Sequence, residues 1–476
     1  MPGTEYDLIV VGAGSTGENV AGRAVAAGLS AVVVEAELVG GDCSYWACMP
    51  SKALLRSPDA LRAARAVDGA RQAVTGELDV AAVLRRRDSF TSHWKDDGQV
   101  SWLDSAGIDL VRGVGRLAGP RRVEVQSGDG STTTLVARHA VALCTGSEAV
   151  IPPVPGLAEA EPWTSREATS AQQIPRRLVV LGGGVVGCEL ATAFRALGSE
   201  QVTLIQRGPR LLPALEPFAG ERVLASLTEL GVDVRLGSQL TEVQGTGPHT
   251  LTLDDGSTLE ADRLLVATGR KPRSADLGLE TVGLEPDTWL AVDDTLRVTA
   301  VEEGWLYAAG DANHRALLTH MGKYQARACG DVVAARARGD ADAASPGAWS
   351  RYAATADAAA VPQVVFTDPE VAAVGMTEAQ ARERGLDVRL VTYELGNVAG
   401  ASLYADGYAG LAGMLVDEAR HVIVGATFVG PAVGDLLHAA TVAIVGEVPL
   451  ERLWHAVPSY PTTSEIWLRL LETYGL

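Results

Sequence analysis

The feature that most constrains this chain is a glycine turn that occurs twice. Residues 7–11, DLIVV, form an apolar run suited to a buried parallel strand, and GAGSTG follows at once. A helix-like stretch comes next, then a second apolar run, AVVVE, ending at Glu35. About 170 residues later the pattern recurs: RLVVL at 177–181 leads into GGGVVG, a helical CELATAFRALG, and VTLIQ ending at Gln206. Each copy is a strand–turn–helix–strand unit of about 30 residues, so the chain is predicted to hold two dinucleotide-binding halves. In the first, Gly12 turns out of the strand, Gly14 admits a pyrophosphate close to the backbone, and Gly17 lets the helix pack on the sheet. The helix N-terminus then favours the phosphate charge, and Glu35 is placed to accept hydrogen bonds from a ribose diol. The second copy has Gly182, Gly184 and Gly187, but Gln206 stands at the acidic position, with Arg207 next and Arg210 nearby. Without the carboxylate a 2′-phosphate meets no repulsion, and an arginine binds one bidentately. This favours NADPH, with NADH possible; the plainer reading leaves the arginines as solvated loop charges.

A length of 476 residues exceeds one compact core and suits three domains. Asp and Glu number 59 against 40 Lys and Arg, a net charge of −19, which argues against nucleic acid or an anionic membrane as the main partner. No run of about 18 uncharged apolar residues appears. The opening MPGTEYDLIVVGAG enters a strand without a secretory-type segment, so the expected location is cytoplasmic and the expected partner a small-molecule substrate. RVEVQSGDGSTTTLVARHAVAL and LTLDDGSTLEADRLLVATG (251–269) read as alternating strands around glycine turns, one after each half. The Ala-, Gly- and Pro-rich stretch 339–362 is the expected domain junction, followed by an antiparallel sheet with helices and an amphipathic helix near 435–446.

Five cysteines stand at 43, 48, 144, 188 and 329, too few for a disulfide framework in a chain this long. Cys43 and Cys48 lie within GGDCSYWACMPSK, residues 40–52, directly after the first nucleotide unit. Their spacing is not that of a zinc ribbon, and no second close pair completes a metal site. Two thiols this near can close a small ring and exchange disulfides; the alternative is two ordinary buried cysteines. Cys144, Cys188 and Cys329 read as small buried hydrophobes. Trp46 either narrows access to the thiols or simply packs. The eight histidines have no metal-ligand spacing, and no metal is expected.

With these residues in view, the chain resembles the pyridine nucleotide–disulfide oxidoreductases along essentially its whole length, a family that includes dihydrolipoamide dehydrogenase, glutathione reductase and mercuric reductase. The most specific match is the GG-x-C-x4-C-x-PSK segment; ALCTGS with Thr145 and Gly146, ATGRKP with Gly269, YAAGDA with Asp311, VFTDPEVAAVG at 365–375 and PTTSE at 461–465 accompany it. The resemblance implies an α/β fold with two Rossmann-like dinucleotide-binding domains and an α+β C-terminal dimerisation domain. It assigns residues 1–150 and 277–352 to FAD, 151–276 to NAD(P), and 353–476 to the interface of a homodimer. It implies FAD in the first site and NAD(P)H in the second, with Asp311 at the ribityl and pyrophosphate region. It makes Cys48 the thiolate nearer the flavin and Cys43 the interchange thiol. Lys52 is implied beside flavin N5, with Glu189 as its ion-pair partner.

One departure bears on activity. The family's His–Glu couple near the C-terminus becomes Tyr460 and Glu465 here, in WHAVPSYPTTSEIW, with His455 five positions upstream. By resemblance these complete the site around Cys43 of the partner subunit. A tyrosine of pKa about 10 is a poor general base at neutral pH. Mercuric reductases also have a tyrosine near this point, but they use a C-terminal cysteine pair, and this chain has no cysteine after Cys329; mercury is therefore disfavoured. The expected activity is an FAD-dependent NAD(P)H oxidoreductase passing electrons through a Cys43–Cys48 disulfide to a disulfide or other two-electron acceptor. The alternatives are a quinone or diaphorase-type reductase and a dithiol oxidase.

Overall fold

The computed structural model describes residues 4–476, which divide into two compact units. The first takes residues up to 49, Asp88–Ala149 and Arg270–Ala358; the second takes Pro50–Arg87, Val150–Gly269 and Ala359–Leu476.

The first unit is built on a 7-stranded sheet. Strand Glu5–Val11 lies between Ala31–Glu35 and Thr132–Leu143, parallel to both. Asp109–Arg112 and Leu306–Ala308 continue the parallel pairing outward, and Val114–Leu117 with Arg122–Gln126 adds an antiparallel edge. Leu8, Ile9 and Val10 are all fully buried, so both faces of this strand are covered. This explains why DLIVV is a continuous apolar run rather than an alternation. On one face helices Gly17–Ala26 and Thr319–Ala337 pack against each other. Their approach depends on glycine: a Cβ on Gly330 would lie 2.5 Å from Arg23 Cβ, and one on Gly322 would lie 2.3 Å from Thr16 Oγ1.

The second unit contains a four-stranded parallel sheet in the order Val232–Leu236, Gln201–Gln206, Arg177–Leu181 and Arg263–Val266. The hairpin expected at 251–269 belongs to a three-stranded antiparallel sheet of Leu240–Gln244, His249–Leu253 and Thr258–Ala261. Residues 363–430 form the antiparallel sheet read from the sequence, five strands with Val422–Gly430 in the middle and buried along its whole length. The helix expected near 435–446 is the α-helix Leu437–Val445, entered through a 3₁₀ turn Val433–Leu436. Its outward side mixes His438 with the exposed valines Val442 and Val445. Among the described residues no helix is long and apolar enough to cross a membrane.

Candidate active site

The two glycine turns share one geometry. Gly12 has φ +96°, and a Cβ there would lie 2.5 Å from the Cys144 carbonyl oxygen; Gly182 has φ +108°, and its Cβ would lie 2.4 Å from that of Ala267. A Cβ on Gly17 would strike the Gly12 oxygen at 1.8 Å, and one on Gly187 the Gly182 oxygen at 1.9 Å. These glycines are therefore required by close approach of chain to chain. Gly14 and Gly184 differ: a Cβ on Gly14 meets only Gly41 Cα at 3.9 Å, and one on Gly184 meets nothing. Their faces are open to a ligand. At the end of the second strand the Glu35 carboxylate accepts from the Ala13 N–H at 2.7 Å, and the Gln206 amide oxygen accepts from the Gly183 N–H at 3.0 Å. The two copies thus make the same bond with and without a charge. Burial pushes the Glu35 carboxyl up, against the backbone donors of Glu37 and Ala13. Arg207 is exposed beside Gln206, while Arg210 donates to the Pro213 carbonyl.

In the first copy the Thr145 hydroxyl is buried without a hydrogen-bond partner, whereas its counterpart Thr268 donates to the Val150 carbonyl at 3.2 Å. An orphaned hydroxyl beside the Gly12 turn, the open face of Gly14 and the left-handed Gly146 (φ +75°) fit a bound dinucleotide such as FAD. Gly269, in an extended glycine-specific conformation at φ +154°, accepts from the Val150 N–H.

Cys43 lies on the short helix Gly41–Tyr45 and Cys48 opens the helix Cys48–Arg65, both cysteines falling in the first unit. Neither is in a disulfide, and their thiols are hydrogen-bonded to each other. That contact, then burial, pushes the Cys43 thiol well above its usual range, opposed by the Thr319 hydroxyl and the Lys323 charge. Cys48 Sγ lies 3.3 Å from Thr319 Oγ1. Thr319 opens a 19-residue helix, and Cys48 opens its own, so both helix N-termini meet at one sulfur. Positive helix ends favour a thiolate there. Sequence reading missed Thr319 and Lys323. Trp46 stacks at a tilt on Tyr45, ring centroids 5.6 Å apart. Cys144, Cys188 and Cys329 are buried, and burial raises all three thiols, as for inert core residues.

In the second unit Lys52 and Glu189 form the expected pair at 2.7 Å, with side-chain exposures of 34% and 4%. The second Glu189 oxygen accepts from the Phe366 N–H at 2.9 Å, and the Phe366 ring lies 4.9 Å from Lys52 Nζ. Phe366 belongs to the VFTDPE segment but was not singled out from sequence. Asp311 follows the buried strand Leu306–Ala308, and its carboxylate accepts from the Ser147 hydroxyl at 2.5 Å.

Tyr460 and Glu465 are not joined. Tyr460 is 77% exposed, while Glu465 is buried, one oxygen bonded to Arg469 at 2.6 Å and the other without a partner. His455 is also exposed.

Two dinucleotide turns and a paired-thiol loop in one chain are the parts of a nucleotide-dependent thiol oxidoreductase. Residues 6–336 match the family described as pyridine nucleotide-disulphide oxidoreductase, and residues 361–470 match its dimerisation domain. The chain belongs to this family, whose members use FAD and NAD(P)H, and it is a flavoprotein oxidoreductase. It is 30% identical to a mercuric reductase of Staphylococcus aureus over 97% of this chain and 81% of the relative. It is 33% identical to a dihydrolipoyl dehydrogenase of Thermus scotoductus over 97% and 95%. Among solved structures, the flavoprotein disulfide reductase RclA of Escherichia coli has the same fold, with TM-score 0.83 at 22% identity, covering 98% of this chain and 99% of that one.

Proposed function

We propose that this protein is an FAD-dependent NAD(P)H oxidoreductase that passes electrons through Cys43 and Cys48 to a disulfide or similar two-electron acceptor. The observation that carries this reading is the direct contact between the two thiols at paired helix N-termini. Two sulfurs this close share one negative charge in the reduced state. Cys48, beside Thr319, holds that charge, and Cys43 keeps the proton until it attacks substrate. FAD, held by the first glycine turn, would supply two-electron transfer between NAD(P)H and the Cys43–Cys48 disulfide. Cys43 then attacks one sulfur of the substrate, Cys48 resolves the mixed disulfide, and the pair closes again. The balance is NAD(P)H + H⁺ + RSSR → NAD(P)⁺ + 2 RSH.

By resemblance, Gly12, Gly14, Gly17, Glu35, Thr145, Gly146 and Asp311 bind FAD, and Gly182, Gly184, Gly187, Arg207 and Gly269 bind the nicotinamide cofactor. Lys52 contributes positive charge at the flavin, held by Glu189. The domains follow the divisions 1–150, 151–276, 277–352 and 353–476, in a cytoplasmic homodimer in which Tyr460 and Glu465 serve the partner's Cys43. Gln206 in place of a carboxylate, with Arg207 exposed beside it, supports NADPH as the preferred donor.

Tyr460 in place of an imidazole favours a second reading, direct reduction of a quinone-type acceptor from flavin, because proton transfer by an imidazole is typically worth ~10²–10⁴ in rate. Anaerobic titration with NADPH and then NADH separates the cases. A long-wavelength thiolate–flavin band, stronger at equal NADPH, is expected. A simple flavin bleach with both donors would sink the dithiol relay. Cys43→Ser abolishes disulfide reduction and leaves quinone reduction intact.

A further inference from the structure

Asp42 stands immediately before Cys43, and an unbalanced carboxylate there opposes any thiolate. Its charge is met by two arginines: Arg270 Nη2 donates to Asp42 Oδ2 at 3.3 Å, and Arg273 Nη2 lies 3.8 Å from Oδ1. Arg270 also reaches the other way. Its Nε donates to the Ser147 hydroxyl at 2.6 Å and its Nη2 to the Ser147 carbonyl at 2.7 Å. The same hydroxyl donates to Asp311, whose carboxylate is 3.8 Å from Arg270 Nε. Ser147 is almost fully buried, while the charged groups on either side of it are partly exposed. Its backbone is fixed by the antiparallel pairing of Ser147–Ala149 with Arg270–Pro272. The Asp311 turn is held from behind by Gln325, which accepts from the Gly310 N–H at 2.7 Å and the Asn313 amide at 2.8 Å. All these residues lie in the first unit.

We propose that Arg270 is a positioning residue that couples the redox loop to the cofactor carboxylate, balancing Asp42 beside Cys43 while holding Ser147 and Asp311 in place. This rests on the dithiol reading and extends it to what sets the thiol pair's charge. Two acidic and two basic groups (Asp42, Asp311, Arg270 and Arg273) leave the cluster neutral, while Lys323 and the Thr319 hydroxyl, which face Cys43 from helix Thr319–Ala337, with Glu18 beside Lys323, are common to every variant. Neighbouring Glu148 pairs with Lys271 at 3.0 Å and lies 3.9 Å from Arg273, so it adds no net charge either. Removing the Asp42 charge leaves a surplus cation near the thiols, which favours the thiolate. Removing the Arg270 charge leaves a surplus anion, which disfavours it. A purely structural tether behaves differently, since breaking it from either end loosens the same loop and moves the thiols the same way.

The experiment follows the pH midpoint of the thiolate–flavin band in the reduced holoenzyme. Asp42→Asn is expected to lower the midpoint by about one pH unit and Arg270→Met to raise it by a similar amount. The double variant returns close to wild type. Arg270→Met also releases FAD about tenfold more readily. If Arg270→Met does not fold, Asp42→Asn against the double variant carries the same comparison, because removing both charges leaves neither unpaired. Shifts in the same direction, an unshifted Asp42→Asn, or a double variant that stays at the Asp42→Asn midpoint each overturn the coupling. A wild-type enzyme without the band overturns the dithiol reading instead, so the two failures are distinguishable.

Discussion

Glu189 is the most exacting single residue in the second unit. Its carboxylate is buried and satisfied by one cation and one backbone N–H. Removing the cation leaves a charge without its partner, which costs far more than removing the carboxylate's charge and keeping its hydrogen bond. Lys52→Met is therefore expected to lower stability by about 2–3 kcal/mol, discounted from a fully buried pair because Lys52 is partly solvated. Glu189→Gln keeps the acceptor for Phe366 and is expected to cost about 1 kcal/mol. Urea-unfolding midpoints of the two variants test this order, and equal losses would contradict it. This pair was legible in the sequence only through the PSK and GCELA motifs and their resemblance. Phe366 was not, because nothing in VFTDPE marks a phenylalanine whose N–H faces a carboxylate 177 residues away.

At the scale of elements, the two glycine turns separate folding from binding. Gly17 is packed against the Gly12 carbonyl, whereas Gly14 has room for a methyl group within the protein but faces the expected pyrophosphate. Gly17→Ala is expected to disrupt the first unit, with loss of soluble protein. Gly14→Ala is expected to fold with an unchanged circular dichroism spectrum and to carry little flavin, measured as flavin absorbance per protein. A fully flavin-loaded Gly14→Ala would remove that glycine from the cofactor site. The strand–turn–helix–strand pattern was readable because parallel strands covered on both faces appear as unbroken apolar runs. The helix ending at Val445 was less so: exposed valines beside His438 blur its outward face, and its start follows a 3₁₀ turn that no periodicity marks.

For the whole molecule, the C-terminal segment carries exposed apolar side chains that a lone chain gains nothing by displaying. Val457 is 83% and Leu403 71% exposed, with Tyr404, Trp454 and Tyr460 also open, all within the dimerisation match at 361–470. Val457→Glu combined with Leu403→Glu is expected to shift sedimentation from dimer to monomer and to abolish disulfide reduction, sparing bound FAD. An unchanged dimer would place the interface elsewhere. Sequence alone determined the nucleotide turns, the thiol pair and the missing imidazole, because each rests on residue types at short, fixed spacing. The tertiary structure decided which remote groups surround the sulfurs. Thr319 is 271 residues from Cys48, and Arg270 is 228 from Asp42. No local rule links such positions; sheet order and helix packing bring them together, and the electrostatics of the site follow from that folding.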